Sequence, residues 1–528
     1  MSSTHPRWGD TIAVETVNGV PYRMYTERPR RVEDVLPLAD RWADRPHIIQ
    51  RDRVLSFADM RAAVAAKAAD LVVLGVAHGD RVFVLGWNGP EWVVNFWACL
   101  AVGAVPVLAN TWWSASELDA GLKLIEPVLT LADKAAAAKM PAGRRVGPWD
   151  INTGGKPIVP ADGAKRSEED TALIIFTSGT SGQPKAVVLS HRAVLARLHM
   201  TLQVTKKLPH QIDGSGHDVT LITGPLFHVG QMQTLLRAAI VGDTLVVPGG
   251  RYDPAEVIDL VERHKVNRWP AVPTMVSRLL DHPDVARRDL SSLKSISIGG
   301  APVHAELMQR MRTSLPSVSP RVPTGYGLTE NGGQATGAAG SEKPELLGST
   351  GRPLPCVEIS FRAHPDLPDG EILLRSPTQM TGYFGLKDSP IDAEGWLHTG
   401  DLGRLDSHGC LWITGRCKDM IIRGGENIAP AAVEQALNAI PGVVEAAVFG
   451  LPHADLGEEV MAVVVTDGDV TAEQLKADLK GKVSSFAVPT RWRLQKEHLP
   501  TNPAGKVDKN AISAGIRAEL ARDAGTAQ

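Results

Sequence analysis

Between residues 56 and 302 the chain repeats one pattern: a short apolar run, then a longer stretch with helical spacing. The runs are "RVFVLGWN" (81–88), "VPVLAN" (105–110), "LTLAD" (129–133), "VTLITGPL" (219–226), "TLVVPG" (244–249) and "SISIGGAP" (295–302). Helical patterns such as "SFADMRAAVAAKAADLVVLG" and "DPAEVIDLVERHK" lie among them. Unbroken apolar strands suit parallel sheets buried on both faces, with helical crossovers as the cover. The alternation predicts an α/β fold with parallel sheets flanked by helices. Several runs end in glycine-rich or polar turns, and ligands of open α/β sheets sit at such carboxyl ends.

The chain has 528 residues, too many for one ordinary domain. After about residue 350 the pattern changes. "GEILLRSP" and "GCLWITGR" read as turn-bounded strands of a small barrel-like antiparallel subdomain. Beyond "GRCKDMIIRGGENIAP", the segment "AAVEQALNAIPGV" sets Val433, Leu437 and Ile440 on one helical face. "VVEAAVFGLP" and "EEVMAVVVTD" read as strands, and Thr471 with Gln474 fits a capping box opening "AEQLKADLKGKVS". The expected division is a large N-terminal domain over 1–417 and a small α+β domain over 418–528.

Basic residues number 56 and acidic ones 59, so no polyanion-binding face is advertised and nucleic acid is not an expected partner. Four cysteines (Cys99, Cys356, Cys410 and Cys417) form no CxxC pair and no disulfide framework, which suits reduced thiols in a cytosolic protein. The stretch "WVVNFWACLAVGAVPVLANTWW" (92–113) is long enough to span a bilayer. It splits at Gly103 into a helix-like and a strand-like half, so it reads as a buried helix–turn–strand. The polar N-terminus lacks an apolar signal core, and a cytoplasmic location is expected. Peripheral membrane contact and a homodimer are left open.

"FTSGTSGQPKAVV" (176–188) is the densest small-residue stretch between apolar runs. Thr177, Ser178, Thr180 and Ser181 supply hydroxyls, while Gly179 and Gly182 allow backbone amides to approach a ligand closely. Together they make a cradle for phosphate oxygens, and Lys185 adds a positive charge. The P-loop pattern fails, because Lys185 follows Pro184 and no glycine directly precedes it. Strands on both sides argue against a flexible linker.

This string resembles the signature loop of the acyl-adenylate-forming superfamily, in its acyl-CoA synthetase branch. Four more motifs follow in the family's order: "TGYGLTE" (324–330), "GWLHTGDLG" (395–403), "GRCKDMIIRGGENIAP" (415–430) and "PTNPAGKVDK" (500–509). "SIGGAP", with Gly300, Ala301 and Pro302, resembles the segment lining the adenine and acyl pockets. The resemblance implies that Tyr326 and Gly327 bind the purine, that Thr329 meets a phosphate, and that Glu330 and Thr177 hold Mg²⁺. Asp401, expected at a strand end after Gly400, would take both ribose hydroxyls and Arg416 would contact the same sugar; a structural Asp–Arg salt bridge is the plain alternative, and the two roles can coexist. Lys506 would bridge the substrate carboxylate and the α-phosphate, with Lys509 as a weaker competitor. His228 in "PLFHVGQ" is either a pocket gate or a satisfied core histidine.

The implied chemistry has two half-reactions. A carboxylate attacks the α-phosphate of ATP to give acyl-AMP and pyrophosphate; a thiol then takes the acyl group and AMP leaves. Lys185, Glu330, Thr177, His228 and Lys506 are the expected catalytic set. The small domain would rotate about Lys418, withdrawing Lys506 and bringing Gly424 and Gly425 to the site for a pantetheine arm. His228, Val229, Gly230 and Gln231 offer no carboxylate for a substrate ammonium, so the acid is expected to lack an α-amine: fatty, aryl or polycyclic. Coenzyme A is the expected acceptor. An acyl-AMP ligase loading a carrier protein, and a silent nucleotide- or acyl-binding protein, are the alternatives.

Overall fold

A computed structural model of the chain describes residues 8–153, 167–177, 185–214, 216–300, 303, 305–318, 324–338, 346, 348–363, 369–424, 426–453, 455–502 and 505–526. Two large sheets carry the repeating pattern. In the first, five strands run parallel, in the order Thr171–Thr177, Val105–Leu108, Arg81–Leu85, Leu129–Ala132 and Val146–Gly147. Lys185–Ser190 then pairs antiparallel with Thr171–Thr177, and Gly382–Tyr383 antiparallel with Lys185–Ser190. The first sheet is therefore mixed rather than wholly parallel. The physical reason is length: residues 178–184 are too few for a crossover, so the two strands can only fold back.

The second sheet has six strands in the order Ser295–Ile298, Arg268–Ala271, Val219–Leu221, Thr244–Val246, Pro46–Gln50 and Arg53–Ser56. All neighbours are parallel except the final pair. The helices begin where the sequence supplies caps. Ser56 accepts from the Asp59 amide, the Asp59 carboxylate answers to the Ser56 amide, and Phe57–Val73 follows. Asp253 caps Pro254–His264 in the same way, with proline in the first turn.

The long apolar stretch folds as helix Pro90–Ala101, a turn at Gly103 and strand Val105–Leu108. Trp92, Phe96 and Trp97 are completely buried in the core. Among the described residues no helix is long and apolar enough to cross a membrane. The four cysteines are free thiols, with Cys99, Cys356 and Cys410 buried.

A third, four-stranded antiparallel sheet follows: Glu358–Arg362, Gly370–Arg375, Leu397–Leu405 and Leu411–Arg416. The C-terminal unit packs helices Pro430–Asn438, Ala472–Leu479 and Lys509–Thr526 with a sheet that includes Val443–His453 and Gly457–Thr466. Val433, Leu437 and Ile440 are in its core, and Thr471 and Gln474 form the expected capping box. The helix stops at Leu479, short of the pattern's end, where Lys480 leaves helical geometry.

One side chain ties the carboxyl ends of the two large sheets together. Asn88, just past Arg81–Leu85, donates from Nδ2 to the Gly224 carbonyl and accepts at Oδ1 from the Leu226 amide, each at 2.8 Å. Gln50 Nε2, from the second sheet, donates to the Asn88 carbonyl at 2.8 Å. The turns that follow the strands are thus held in one crevice.

Candidate active site

At the end of the crevice expected to take the nucleoside, three groups from distant parts of the chain meet. The Tyr326 hydroxyl donates to Asp401 Oδ2 at 2.6 Å, and Arg416 Nε donates to Asp401 Oδ1 at 2.7 Å. Asp401 does not end its strand, contrary to the sequence expectation; it lies inside Leu397–Leu405, directly opposite Arg416. Gly400, at φ +71°, does not end the strand but bends it, so the carboxylate turns inward. Only 7% of the Asp401 side chain is exposed, against 50% for Arg416, so the carboxylate is fixed while its cationic partner is reachable. Burial first, and then the Asp401 charge, push the Tyr326 phenol well above its usual value, so it stays protonated as a donor. Each carboxylate oxygen keeps a second lone pair, which is what a pair of sugar hydroxyls needs.

The residues expected to face phosphate converge on one that sequence reasoning missed. The Tyr383 hydroxyl donates to Glu330 Oε1 at 2.9 Å. The same ring lies under Lys185 Nζ, 4.7 Å from the centroid. Thr177 and Lys185 face each other across the hairpin as ladder partners. Tyr383 reaches them because its short strand pairs with Val187 and Val188. Its signal in the sequence is slight: one of five tyrosines, set between glycine and phenylalanine in a short run outside every motif. Among the described residues no three His, Cys, Asp or Glu side chains cluster as a metal cage. One carboxylate and one hydroxyl suit Mg²⁺, which keeps waters and phosphate oxygens as most of its shell. Glu330 and Thr177 are the residues that would hold it.

Lys506 enters from the C-terminal unit. Its Cε lies 3.1 Å, and its Nζ 3.6 Å, from the point that a Cβ on Gly300 would occupy. The loop is pinned at its base. Thr274 donates its hydroxyl to the Gly505 carbonyl, and Asn502 Oδ1 accepts from the Lys506 amide at 3.1 Å. His498 spans the same junction, with Nε2 3.3 Å from Asp281 and Nδ1 2.7 Å from Glu445. Lys506 is exposed as a residue, yet the protein around its ammonium lowers its pKa, chiefly by desolvation and then by Arg416, with Asp401 opposing. His228, at the start of helix Val229–Val241, is pushed down to about 4 by desolvation and next by Lys506. The imidazole is therefore neutral at pH 7 and adds no charge beside the ammonium.

The structure brings together Thr177, Lys185 and Glu330 at one end of the crevice. At the other it gathers Tyr326, Asp401, Arg416, Lys506, Gly300 and His228. Gly327 and Thr329 follow Tyr326 directly, in a short strand and a single helical turn. Lys418 is in electrostatic reach of both carboxylates, Asp401 and Glu330; burial and Arg416 lower its pKa. Gly424 is placed in the hairpin of the C-terminal unit, its amide bonded to the Leu456 carbonyl at 2.8 Å, rather than in this group. Lys509 pairs with buried Glu434 at 2.5 Å, a structural role that removes it as a competitor to Lys506. Ser178, Gly179, Thr180, Ser181, Gly182, Ala301, Pro302 and Gly425 lie outside the described residues.

A buried carboxylate held by Tyr326 and Arg416, a carboxylate and a cation joined through Tyr383, and a lysine brought in from the C-terminal unit suit a nucleotide-dependent ligase. The model of the family described as AMP-binding enzyme matches residues 38–384, and that of the AMP-binding enzyme C-terminal domain matches 432–506. A propanoyl:CoA ligase of Mycobacterium tuberculosis, acting on a 7a-methyl-1,5-dioxo-octahydro-indenyl acid, is 36% identical over 88% of this chain and 95% of its own. Feruloyl-CoA synthase of Amycolatopsis is 32% identical over 87% of this chain and 93% of its own. The structure of o-succinylbenzoate CoA synthetase from Bacillus subtilis with its acyl-adenylate OSB-AMP superposes with a TM-score of 0.77, at 29% identity over 90% of this chain and 97% of that one. The same synthetase has been solved with ATP and magnesium ion, at 28% identity, a TM-score of 0.74 and coverage of 90% and 98%. The chain belongs to the AMP-binding enzyme family, in the CoA ligase branch of the adenylate-forming superfamily. It is an AMP-forming acid–CoA ligase whose substrates are a carboxylic acid, ATP and coenzyme A.

Proposed function

We propose that the first half-reaction takes place in the crevice as described, with Lys506 as the group that lets two anions meet. Asp401 and Arg416 hold the ribose, Tyr326 offers its ring to adenine, and the Thr177–Lys185 turn receives the phosphates. Glu330 and Thr177 hold Mg²⁺, which offsets phosphate charge. The Lys506 ammonium then faces both the incoming carboxylate and the α-phosphate. Charge gathers on the phosphoryl oxygens in the transition state, and a positioned cation is worth most there. No protein nucleophile is needed. The observation that carries this reading is the approach of Lys506, from the C-terminal unit, to Gly300 on the N-terminal side.

For the second half-reaction the unit beginning at residue 418 turns about Lys418, and Gly424 and Gly425 come to the crevice for the pantetheine arm. The acid is ring-bearing and lacks an α-amine: no carboxylate follows His228 in "HVGQ", and the relatives named above act on bicyclic and aryl acids. The reading puts the enzyme in the cytoplasm, where both ATP and coenzyme A are abundant. A homodimer is the assembly to test, by light scattering.

Lys506→Ala is the test. Pyrophosphate release should be abolished, while thioester formation from supplied acyl-AMP continues largely intact. Adenylation that survives this change would show the role given to Lys506 to be wrong.

A further inference from the structure

Arg197, on helix His191–Val204, is 93% buried, being 7% exposed. Among the described residues no carboxylate pairs with it. Its hydrogen bonds go to neutral groups: the Thr201 hydroxyl one turn on, and Gln334 Oε1 at 2.7 Å. Burial lowers its pKa to about 10, so it is still a cation at pH 7. A buried charge without a counter-ion is costly and asks for an explanation.

The surroundings are polar and incompletely bonded. Gln233, on Val229–Val241, donates from Nε2 to the Val194 carbonyl at 3.2 Å, but its buried Oε1 has no partner. Asn331, one residue after Glu330, is fully buried, and neither Oδ1 nor Nδ2 has a partner. Two helices and the strand after Glu330 meet at Gly333. The point that a Cβ there would occupy is 3.6 Å from Val229, next to His228, and 3.7 Å from Arg197 Nε. Gln334 links this corner to the nucleoside end. Its Nε2 is the atom nearest to a Cβ built on Gly325, the residue before Tyr326. The corner therefore adjoins the start of helix Val229–Val241, directly after His228.

We propose that Arg197, held by Gln334 Oε1 and joined by the unpartnered Nδ2 of Asn331, forms the far end of the acyl pocket and binds a second oxygen function on the acid, remote from the carboxyl group that reacts. The shared chemistry is an sp² oxygen acceptor, supplied by a ring ketone or by a second carboxylate. Either gives the guanidinium the charge-assisted hydrogen bond that the protein leaves unmade. This inference rests on the synthetase reading above.

The test compares three acids of one shape: 3-cyclohexylpropanoic, 3-(4-oxocyclohexyl)propanoic and 3-(4-carboxycyclohexyl)propanoic acid. The readout is kcat/KM for pyrophosphate release. The wild type should favour at least one oxygenated acid over the plain ring by about tenfold, or 1.4 kcal/mol. Arg197→Met should bring that ratio close to one, and Arg197→Lys should keep part of it. Asn331→Leu, a second variant should Arg197→Met fail to fold, removes the unpartnered Nδ2 donor and should lower the ratio about threefold. An advantage for the ketone alone or for the dicarboxylate alone names the source, and either supports the proposal. Equal use of all three acids by the wild type overturns it, as does a fall in Arg197→Met that leaves the ratio unchanged, which marks a structural brace. Silence on these acids with turnover of others overturns the pocket assignment alone; silence on every acid overturns the synthetase reading with it.

Discussion

The Tyr383 hydroxyl holds one oxygen of Glu330 while its ring carries Lys185, so a single side chain orients the carboxylate proposed to hold Mg²⁺ and the cation proposed to face phosphate. Tyr383→Phe keeps the ring and removes the hydroxyl. A partly exposed hydrogen bond of this kind is worth about 1 kcal/mol, so KM for MgATP should rise roughly fivefold with little change in melting temperature. An unchanged KM in steady-state kinetics would show that Glu330 needs no such support. Residues of this type were the least legible in the sequence. Lys506, Asp401 and Glu330 were found because each stands in a motif; by burial pattern alone, Lys506 would pass as a solvated surface lysine. Tyr383 and Asn88 stand in no motif. Their roles come from what the sheet brings beside them, which no local pattern encodes.

The loop that carries Lys506 depends on close backbone packing. Gly505 has φ +78°, and a Cβ there would lie 2.9 Å from Val272 and 3.1 Å from Met275. Gly505→Ala meets both penalties, an unfavourable backbone region and a clash against the N-terminal side. Pyrophosphate release should fall by about tenfold or more, while thioester formation from supplied acyl-AMP falls less. Equal loss in both half-reaction assays would mean that docking of this loop is not specific to adenylation. At this scale the sequence was more informative. Apolar runs marked the strands and Thr471 marked a helix start, because caps are local chemistry; Ser56 and Asp253 cap their helices too, without having been singled out. Strand direction was not local. The hairpin that pairs Thr177 with Lys185 went unread, and the strand through Asp401 continued past the glycine that suggested its end.

Across the whole molecule, two core histidines add to the acid sensitivity that His228 brings to the site. His47 and His199 are both lowered from 6.5 to about 4, chiefly by desolvation. The unfolded chain binds these protons first as pH falls, so folding stability is complete above about 6.5 and is lost on the way down to 4. Each histidine contributes up to roughly 3 kcal/mol over that window. Melting temperature measured from about pH 7 to 4.5 should fall, and His47→Asn should flatten the curve. Parallel curves for variant and wild type would contradict this. The large-scale plan was legible, because five separated motifs and a change of pattern near residue 350 are properties of the whole chain. The meeting of Arg197 with Gln334 was not, since 137 residues separate them and both read as ordinary polar positions. The account is tested most directly by a crystal structure with a non-hydrolysable acyl-adenylate. It predicts ribose hydroxyls on Asp401, adenine against the Tyr326 ring and the phosphate within reach of Lys506 Nζ. An adenylate bound away from Asp401, or a docked C-terminal unit whose Lys506 turns from the phosphate, would contradict it.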